Sequence, residues 1–285
     1  MNETIQIGTI NRLRIDRETP QGYYLVSNDN DSVLLPNRYI TDEMKLDKII
    51  DVFIYSDSED RLVATTETPP LLLGEVGFFE VVDSTPHGAY LDWGLSKDLL
   101  VPKSLQKNPF RVGQKRIIRL LKDFNSDRLI GSEKVFKDIL PAPKNLAVNT
   151  PIDIIVVAKT PLGYKIIADS KYEGIIYENE IFTKIRVPQK ITAFVKKVRD
   201  DGKLDISLQQ IGKNRFGSIA DNIYKKITDC GGKMPYNYKS DAEAIKKEFG
   251  VSKKNFKAAL TDLVDSNKIE IKESGIYIIN NNQTL

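Results

Sequence analysis

Thr85-Pro86-His87-Gly88-Ala89-Tyr90-Leu91 decides how this chain is read, because it recurs in altered form. The other copies are Thr19-Pro20-Gln21-Gly22-Tyr23-Tyr24-Leu25 and Thr160-Pro161-Leu162-Gly163-Tyr164-Lys165-Ile166. Thr-Pro-x-Gly favours a β-turn, since Pro presets φ at its second position and Gly suits its fourth. The residues that follow can run straight into a strand. Three such units make the chain an array, and an array is compared copy by copy.

Two further landmarks keep the register. Seventeen residues after each Thr stand Pro36, Pro102 and Tyr177, each closing a short apolar run. Further on come Asp60-Arg61-Leu62-Val63, Asp127-Arg128-Leu129-Ile130 and Asp201-Gly202-Lys203-Leu204. Eleven residues before the Thr, Gly8 and Gly74 open the first two copies. The expected domains are residues 1–69, 70–142 and 143–211, with a different domain over 212–285. Pro69-Pro70 and Pro141-Ala142-Pro143 act as stiff linkers.

The 285 residues suffice for several domains. No apolar run approaches the ~20 residues that span a bilayer, and the N-terminus lacks a signal-peptide pattern, so a cytoplasmic protein is expected. One cysteine excludes an intrachain disulfide and a Cys-rich metal site, one histidine is too few for a His-based metal site, and no Cys–His–Asp triad is expected. No Gly-rich phosphate loop is present. No cofactor, no metal and no enzymatic activity are expected. The net charge is +3, unevenly spread: residues 1–69 hold seven Lys/Arg against thirteen Asp/Glu. Attraction for a polyanion should therefore come from the second unit onward.

Runs such as Val52-Phe53-Ile54-Tyr55, Leu72 to Phe79, Ile152 to Val157 and Ile191 to Val195 predict strands. Short helices are expected over Thr41 to Lys48 and over Ser132 to Leu140, with Ser132 as cap. Beyond residue 212 the period changes. Phe216, Ile219, Ala220, Ile223 and Ile227 follow a helical pattern that stops at Gly231-Gly232. Ser240-Asp241-Ala242-Glu243 reads as a capping box for a helix ending at Gly250. Ser252 caps a third helix with Phe256, Leu260, Leu263 and Val264 on its apolar face, and two short strands turn at Glu273-Ser274-Gly275. That order is a winged helix-turn-helix. The fold expected is mainly β: three tandem barrels, then a small α/β winged helix domain.

Each of the first three units resembles an S1 domain, a five-stranded OB-fold barrel. The S1 pattern runs Gly-x-Val, Phe-Gly-Ala-Phe-Val, Leu-Leu-His-x-Ser, then Asp and Arg before Ile-x-Leu-Ser. The second unit answers with His87-Gly88-Ala89-Tyr90-Leu91, Leu100-Val101-Pro102-Lys103-Ser104, and Asp123 with Arg128. The third answers with Lys203-Leu204-Asp205-Ile206-Ser207-Leu208. With the winged helix stretches Lys233 to Ser240 and Ser252 to Leu260, the whole chain is similar to the conserved virulence factor B family of bacterial RNA-binding proteins. The resemblance implies a non-enzymatic protein that binds single-stranded RNA and regulates gene expression after transcription. The departures thin the aromatics: Gln21, His87 and Leu162 replace the first S1 aromatic, and Lys165 replaces the second in unit three.

OB-folds hold single strands by stacking bases on aromatics and by cations along the backbone. The candidates are Tyr24, Phe78, His87, Tyr90 and Tyr177 for bases, and Arg119, Lys122, Arg128, Lys196, Arg199 and Lys203 for phosphates. Each has a bland alternative: tyrosines covering a barrel, a solvated basic face, Phe78 or Phe79 packing on a neighbour, and His87 as a tolerated surface residue. The winged helix offers Lys253, Lys254, Asn255 and Lys257 to duplex DNA, or a surface for RNA or protein. A DNA-binding regulator and a protein scaffold with decayed S1 surfaces are the rival readings.

Overall fold

The computed structural model describes residues 1–181, 183–211 and 213–279, and for residues 213–218 the backbone. Two compact units result. The first is Met1–Leu140 with Ile155–Val157 and Ile167–Glu173; the second comprises Pro141–Ile154, Ala158–Ile166 and the described residues from Gly174 onward.

Barrel 1 is built from β1 (Ile10–Thr19), β2 (Gly22–Val26), β3 (Ser32–Pro36), β4 (Ile49–Ser56) and β5 (Leu62–Thr65). It closes in the order β1-β2-β3-β5-β4, with β3 and β5 parallel at Leu34↔Val63. Alternation fills it: Leu13, Ile15, Leu25, Leu35 and Ile54 are fully buried. Barrel 2 has β6 (Val76–Ser84), β7 (Gly88–Asp92), β8 (Leu99–Pro102), β9 (Lys115–Lys122) and β10 (Leu129–Ser132). Its sheet order, β10-β9-β6-β7-β8, is the same ring left open between β8 and β10. The gap is narrow, since Gly131 lies against Leu99 and Val101. Barrel 3 has β11 (Pro151–Thr160), β12 (Gly163–Ala168), β13 (Tyr172–Tyr177), β14 (Gln189–Val198) and β15 (Leu204–Ser207), and it is closed in barrel 1's order. Barrels 1 and 2 share one apolar cluster: Phe53, Tyr55 and Val63 pack with Trp93, Leu91 and Val101. Trp93 meets Phe53 edge-on, ring centroids 6.2 Å apart.

The sequence landmarks are three repeated hydrogen bonds. In each Thr-Pro-x-Gly turn the Thr hydroxyl donates to the Gly carbonyl, at 2.8 Å for Thr19, 3.1 Å for Thr85 and 3.0 Å for Thr160. Pro36, Pro102 and Tyr177 each lead into a single 3-10 turn. Before the first strand, Gly8 donates to Ile54, Gly74 to Leu120 and Asn149 to Val195, all at 2.8 Å. Those three residues have φ of +78°, +87° and +67°. Asn149 thus stands where the other copies have Gly, because Asn also tolerates the left-handed region.

The turn glycine itself is obligatory. Gly22 and Gly163 have φ near +145° and +144°. A Cβ there would lie 2.0 Å from the Leu35 and Ile176 carbonyl oxygens. Gly163→Ala should cost about 2 kcal/mol of stability, from strained backbone and a displaced neighbouring strand. Urea melts with an unshifted midpoint would contradict this.

Both short helices expected within the barrels are absent. Thr41 to Lys48 is a pair of turns, because β1 claims its end: Ile15 donates to the Lys48 carbonyl and accepts from Asp47. Ser132 completes β10 opposite Arg119 instead of capping a helix, and the following residues form a turn with Asp138 at φ +62°. The strand expected from Leu72 starts at Val76, after a turn in which Glu75 donates to Leu72.

The C-terminal domain has α1 (Lys213–Asp229), β16 (Lys233–Met234), α2 (Ala242–Phe249), α3 (Lys253–Asp265), β17 (Ile269–Lys272) and β18 (Gly275–Ile278). β16, too short for a period to mark it, pairs with β18 and makes the hairpin a three-stranded sheet. Asp241, one residue after Ser240, caps α2 by accepting from Glu243 and Ala244, and Gly250 ends it at φ +67°. Ser252 caps α3 through the Asn255 amide. Ile219, Ile223, Ile227, Phe256, Leu260 and Leu263 form the core. Val264 falls outside that stripe and is exposed, while the Phe216 side chain lies outside the described residues. Among the described residues no helix is long and apolar enough to cross a membrane, and no acidic, His or Cys cluster could hold a metal ion.

Candidate nucleic-acid interface

Inward Ala89 and Leu91 leave Tyr90 on the outer face of β7, half-buried, beside Leu100 of β8. On the same side the β9–β10 turn presents Arg128. Asp123 holds that turn: its amide donates to the Arg128 carbonyl at 2.8 Å, and its carboxylate accepts from the Ser126 hydroxyl at 2.6 Å. The Ser126 hydroxyl bond, ahead of the backbone amides, keeps the Asp123 carboxyl below the usual carboxylate range. Tyr90, Trp93, Lys97, Leu100 and Arg128 line a cavity of about 480 Å³ whose far wall is Tyr55, Ser58 and Asp60 of barrel 1. Two of the sequence candidates, an aromatic and a cation, are therefore brought together.

The cations of this cavity are engaged. Arg128 meets Asp60 at 2.6 Å, and Lys97 Nζ meets Asp60 at 2.8 Å and the Asp57 carbonyl at 2.7 Å. The hydrogen bond from Lys97, then the charge of Arg128, lowers the Asp60 carboxyl from its ordinary value. Beneath the cavity, Tyr55 hydroxyl bonds with Ser96 at 3.0 Å and with Tyr39 at 3.2 Å, tying the two barrels together. Burial raises the Tyr55 hydroxyl above the ordinary tyrosine value, so it stays neutral.

Barrel 3 gathers a second set. Arg199 donates to the Tyr177 hydroxyl at 2.5 Å and to Asp205 at 2.6 Å. Lys196 lies 5.8 Å from the Tyr177 ring centre and is paired with Glu180. Lys203 sits half-buried at the turn after Gly202. In barrel 1, Arg17 covers the Tyr24 ring at 4.3 Å, and Arg61 is spent on Asp57 and Glu59.

Two expectations are corrected, and a third candidate is partly covered. Arg119 is 7% exposed and donates to the carbonyls of Gly74, Ser170 and Val135, so it is a structural cation and no phosphate contact. Phe78 is half-buried and packs against the cluster of Val76, Ile155 and Ile167. Asn255, read as exposed, is 9% exposed, because α3 turns it toward the core beside Phe256. Lys254 and Lys257 do face solvent, while Lys253 is half-buried and donates to the Lys239 carbonyl. His87 is exposed at its turn tip, outside the Tyr90 cavity, and Lys122 pairs with Asp127 at 2.9 Å.

Comparison with known proteins fits this architecture. The S1 domain family model matches residues 7–67, and the CvfB-like winged helix domain model matches residues 221–278. The C-terminal domain is CvfB-like. The whole chain has relatives. It is 29% identical over 274 residues to YitL of Bacillus subtilis, covering 93% of this chain and 91% of that protein. It is 24% identical over 284 residues to conserved virulence factor B of Staphylococcus aureus, covering 95% and 94%. A crystal structure of a multidomain protein with nucleic acid binding domains from Streptococcus pneumoniae is 24% identical, with a TM-score of 0.44 over 96% of this chain and 98% of that one. S1-type barrels and winged helices are modules that hold nucleic acid.

One residue escaped the sequence reading. Phe124, in the β9–β10 turn of barrel 2, is 97% exposed. Its signal was its setting: a lone aromatic in Lys122-Asp123-Phe124-Asn125-Ser126-Asp127-Arg128 has no apolar neighbour to bury it. The corresponding turns carry Ser58-Glu59 in barrel 1 and Asp200-Asp201 in barrel 3, so only barrel 2 has an aromatic there.

Proposed function

We propose that this protein binds single-stranded RNA, with barrel 2 as the principal contact, and that it acts without catalysis in post-transcriptional regulation in the cytoplasm. The observation that carries this reading is the convergence of Tyr90 and Arg128 on one cavity, with Phe124 fully exposed on the adjoining turn. Strands 2 and 3 and the loop between strands 4 and 5 are where OB-folds hold oligonucleotides. Tyr90 and Phe124 supply faces for two bases, and the cations follow the backbone. Tyr177 with Lys196 and Arg199 offers a separate aromatic-and-cation set on barrel 3. Lys254 and Lys257 add charge from the winged helix, while Asn255, the adenine-reading type at the start of α3, is buried. That burial weighs against a sequence-specific DNA regulator. The exposed aromatic and cations weigh against a scaffold with sealed barrels.

Fluorescence anisotropy with a labelled oligouridylate and a DNA duplex of equal length, over a salt series, tests the reading. RNA should bind more tightly, and its affinity should fall linearly in a log–log plot against salt as counterions are released. Trp93, the single tryptophan, lines the cavity and reports occupancy by a change in its emission. Tight duplex binding without RNA binding would sink the proposal.

A further inference from the structure

The acidity of barrel 1 is aimed. Its β4–β5 turn places Asp60 against the two cations that flank Tyr90, with separations of 2.8 Å to Lys97 and 2.6 Å to Arg128. The turn is rigid: Asp57 accepts from the Glu59 and Arg61 amides at 2.9 and 3.0 Å. Asp60 itself holds φ +64°. A carboxylate between two cations, at hydrogen-bond distance from both, occupies the place that a phosphate oxygen would take. Asp98 also lines the cavity, but burial, and then Asp92 and Asp83, push its carboxyl up. Asp60 is thus the carboxylate held most firmly ionised there. Its pairs are solvent-exposed, and exposed ion pairs are weak enough to be exchanged for another anion.

We infer that Asp60 closes a phosphate subsite made by Lys97 and Arg128, and that a phosphodiester of single-stranded RNA displaces it when the strand lies over Tyr90. The first barrel then acts as a built-in competitor of the second, which sets a threshold on RNA binding. This rests on the RNA reading of barrel 2.

Asp60→Asn tests it in the full chain, since Asn keeps the shape and tolerates a positive φ. Asp60→Gly, which fits the same backbone, serves as a second variant. Glu59→Gln removes the same charge one residue away and leaves Lys97 and Arg128 paired. Oligouridylate affinity should rise about threefold to tenfold in both Asp60 variants, the scale of one close unit charge in water. The log–log salt slope should steepen by about one to two, as two cations become free to release counterions. Glu59→Gln should leave affinity unchanged, and adding Arg128→Ala to Asp60→Asn should abolish the gain. Equal gains in Glu59→Gln and Asp60→Asn would overturn the inference by reducing it to net charge. So would Asp60 variants matching the wild type while Tyr90→Ala still weakens binding, an outcome that leaves the RNA reading intact. Absence of RNA binding in wild type and Asp60→Asn alike at low salt would remove both.

Discussion

Tyr90→Ala should bind an oligouridylate about 5- to 150-fold more weakly than the wild type, because one stacked base contributes about 1–3 kcal/mol. Phe124→Ala should fall in the same range by the same argument, and it offers the cleaner experiment. At 97% exposure Phe124 supports no core, so its removal should leave the melting midpoint within the small spread of surface substitutions. Tyr90 is half-buried on β7, and Tyr90→Phe separates stacking from packing: it keeps the ring and should keep most of the affinity. Arg128→Ala acts on a different observable. A lost phosphate contact lowers the salt slope by about one, whereas a lost stacking face shifts affinity by a similar factor at every salt concentration. Anisotropy titrations at four or more salt concentrations resolve these signatures. Unchanged affinity in Tyr90→Ala and Phe124→Ala together would take barrel 2 out of the interface.

How legible this was follows from what each residue depends on. The three barrels were readable because their landmarks answer to local backbone chemistry. A Thr hydroxyl must find its Gly carbonyl three residues on, and a Gly must sit where a Cβ would strike a carbonyl. Those demands recur with the fold, so they recur in the sequence. Asn149 went unread as the third opening residue because two residue types satisfy one backbone requirement. The candidate site was readable where strand alternation alone decides exposure, as at Tyr90. It was misread where a distant segment covers the outer face. Arg119 lies on the outside of β9 between inward Ile118 and Leu120, as alternation requires. What buries it is Ser170, 51 residues away, and no local pattern announces that. Phe78 is partly covered in the same manner by Ile155 and Ile167. The Asp60 contacts also needed the fold, since 37 residues separate Asp60 from Lys97. The S1 model matches the acidic first copy, although the second copy keeps more of the motif around its turn. Family likeness and binding chemistry therefore need not peak in the same barrel.

Arg119→Ala should cost about 3–5 kcal/mol of folding stability and leave RNA affinity within twofold. The side chain is buried, and burial lowers its proton affinity from the ordinary arginine value. It holds its charge there by donating to three backbone carbonyls, of Gly74, Ser170 and Val135. Hydrogen bonds from a charged donor contribute about 1.5–3 kcal/mol each, and an orphaned buried acceptor costs about 1–3 kcal/mol. These do not add fully, because a relaxed structure readmits water to some of the carbonyls. Gly74 opens β6 and Val135 follows β10, so the loss should loosen the start and end of barrel 2 together. Arg119→Lys keeps the charge, but its single ammonium cannot reproduce the planar fork that serves three acceptors, so it should recover only part of the stability. Arg119→Met restores the apolar stem and none of the donors, and should fall near Ala. Urea unfolding followed by Trp93 emission orders the three variants, and anisotropy on each folded variant completes the test. A drop in RNA affinity with an unshifted unfolding midpoint would return Arg119 to the interface.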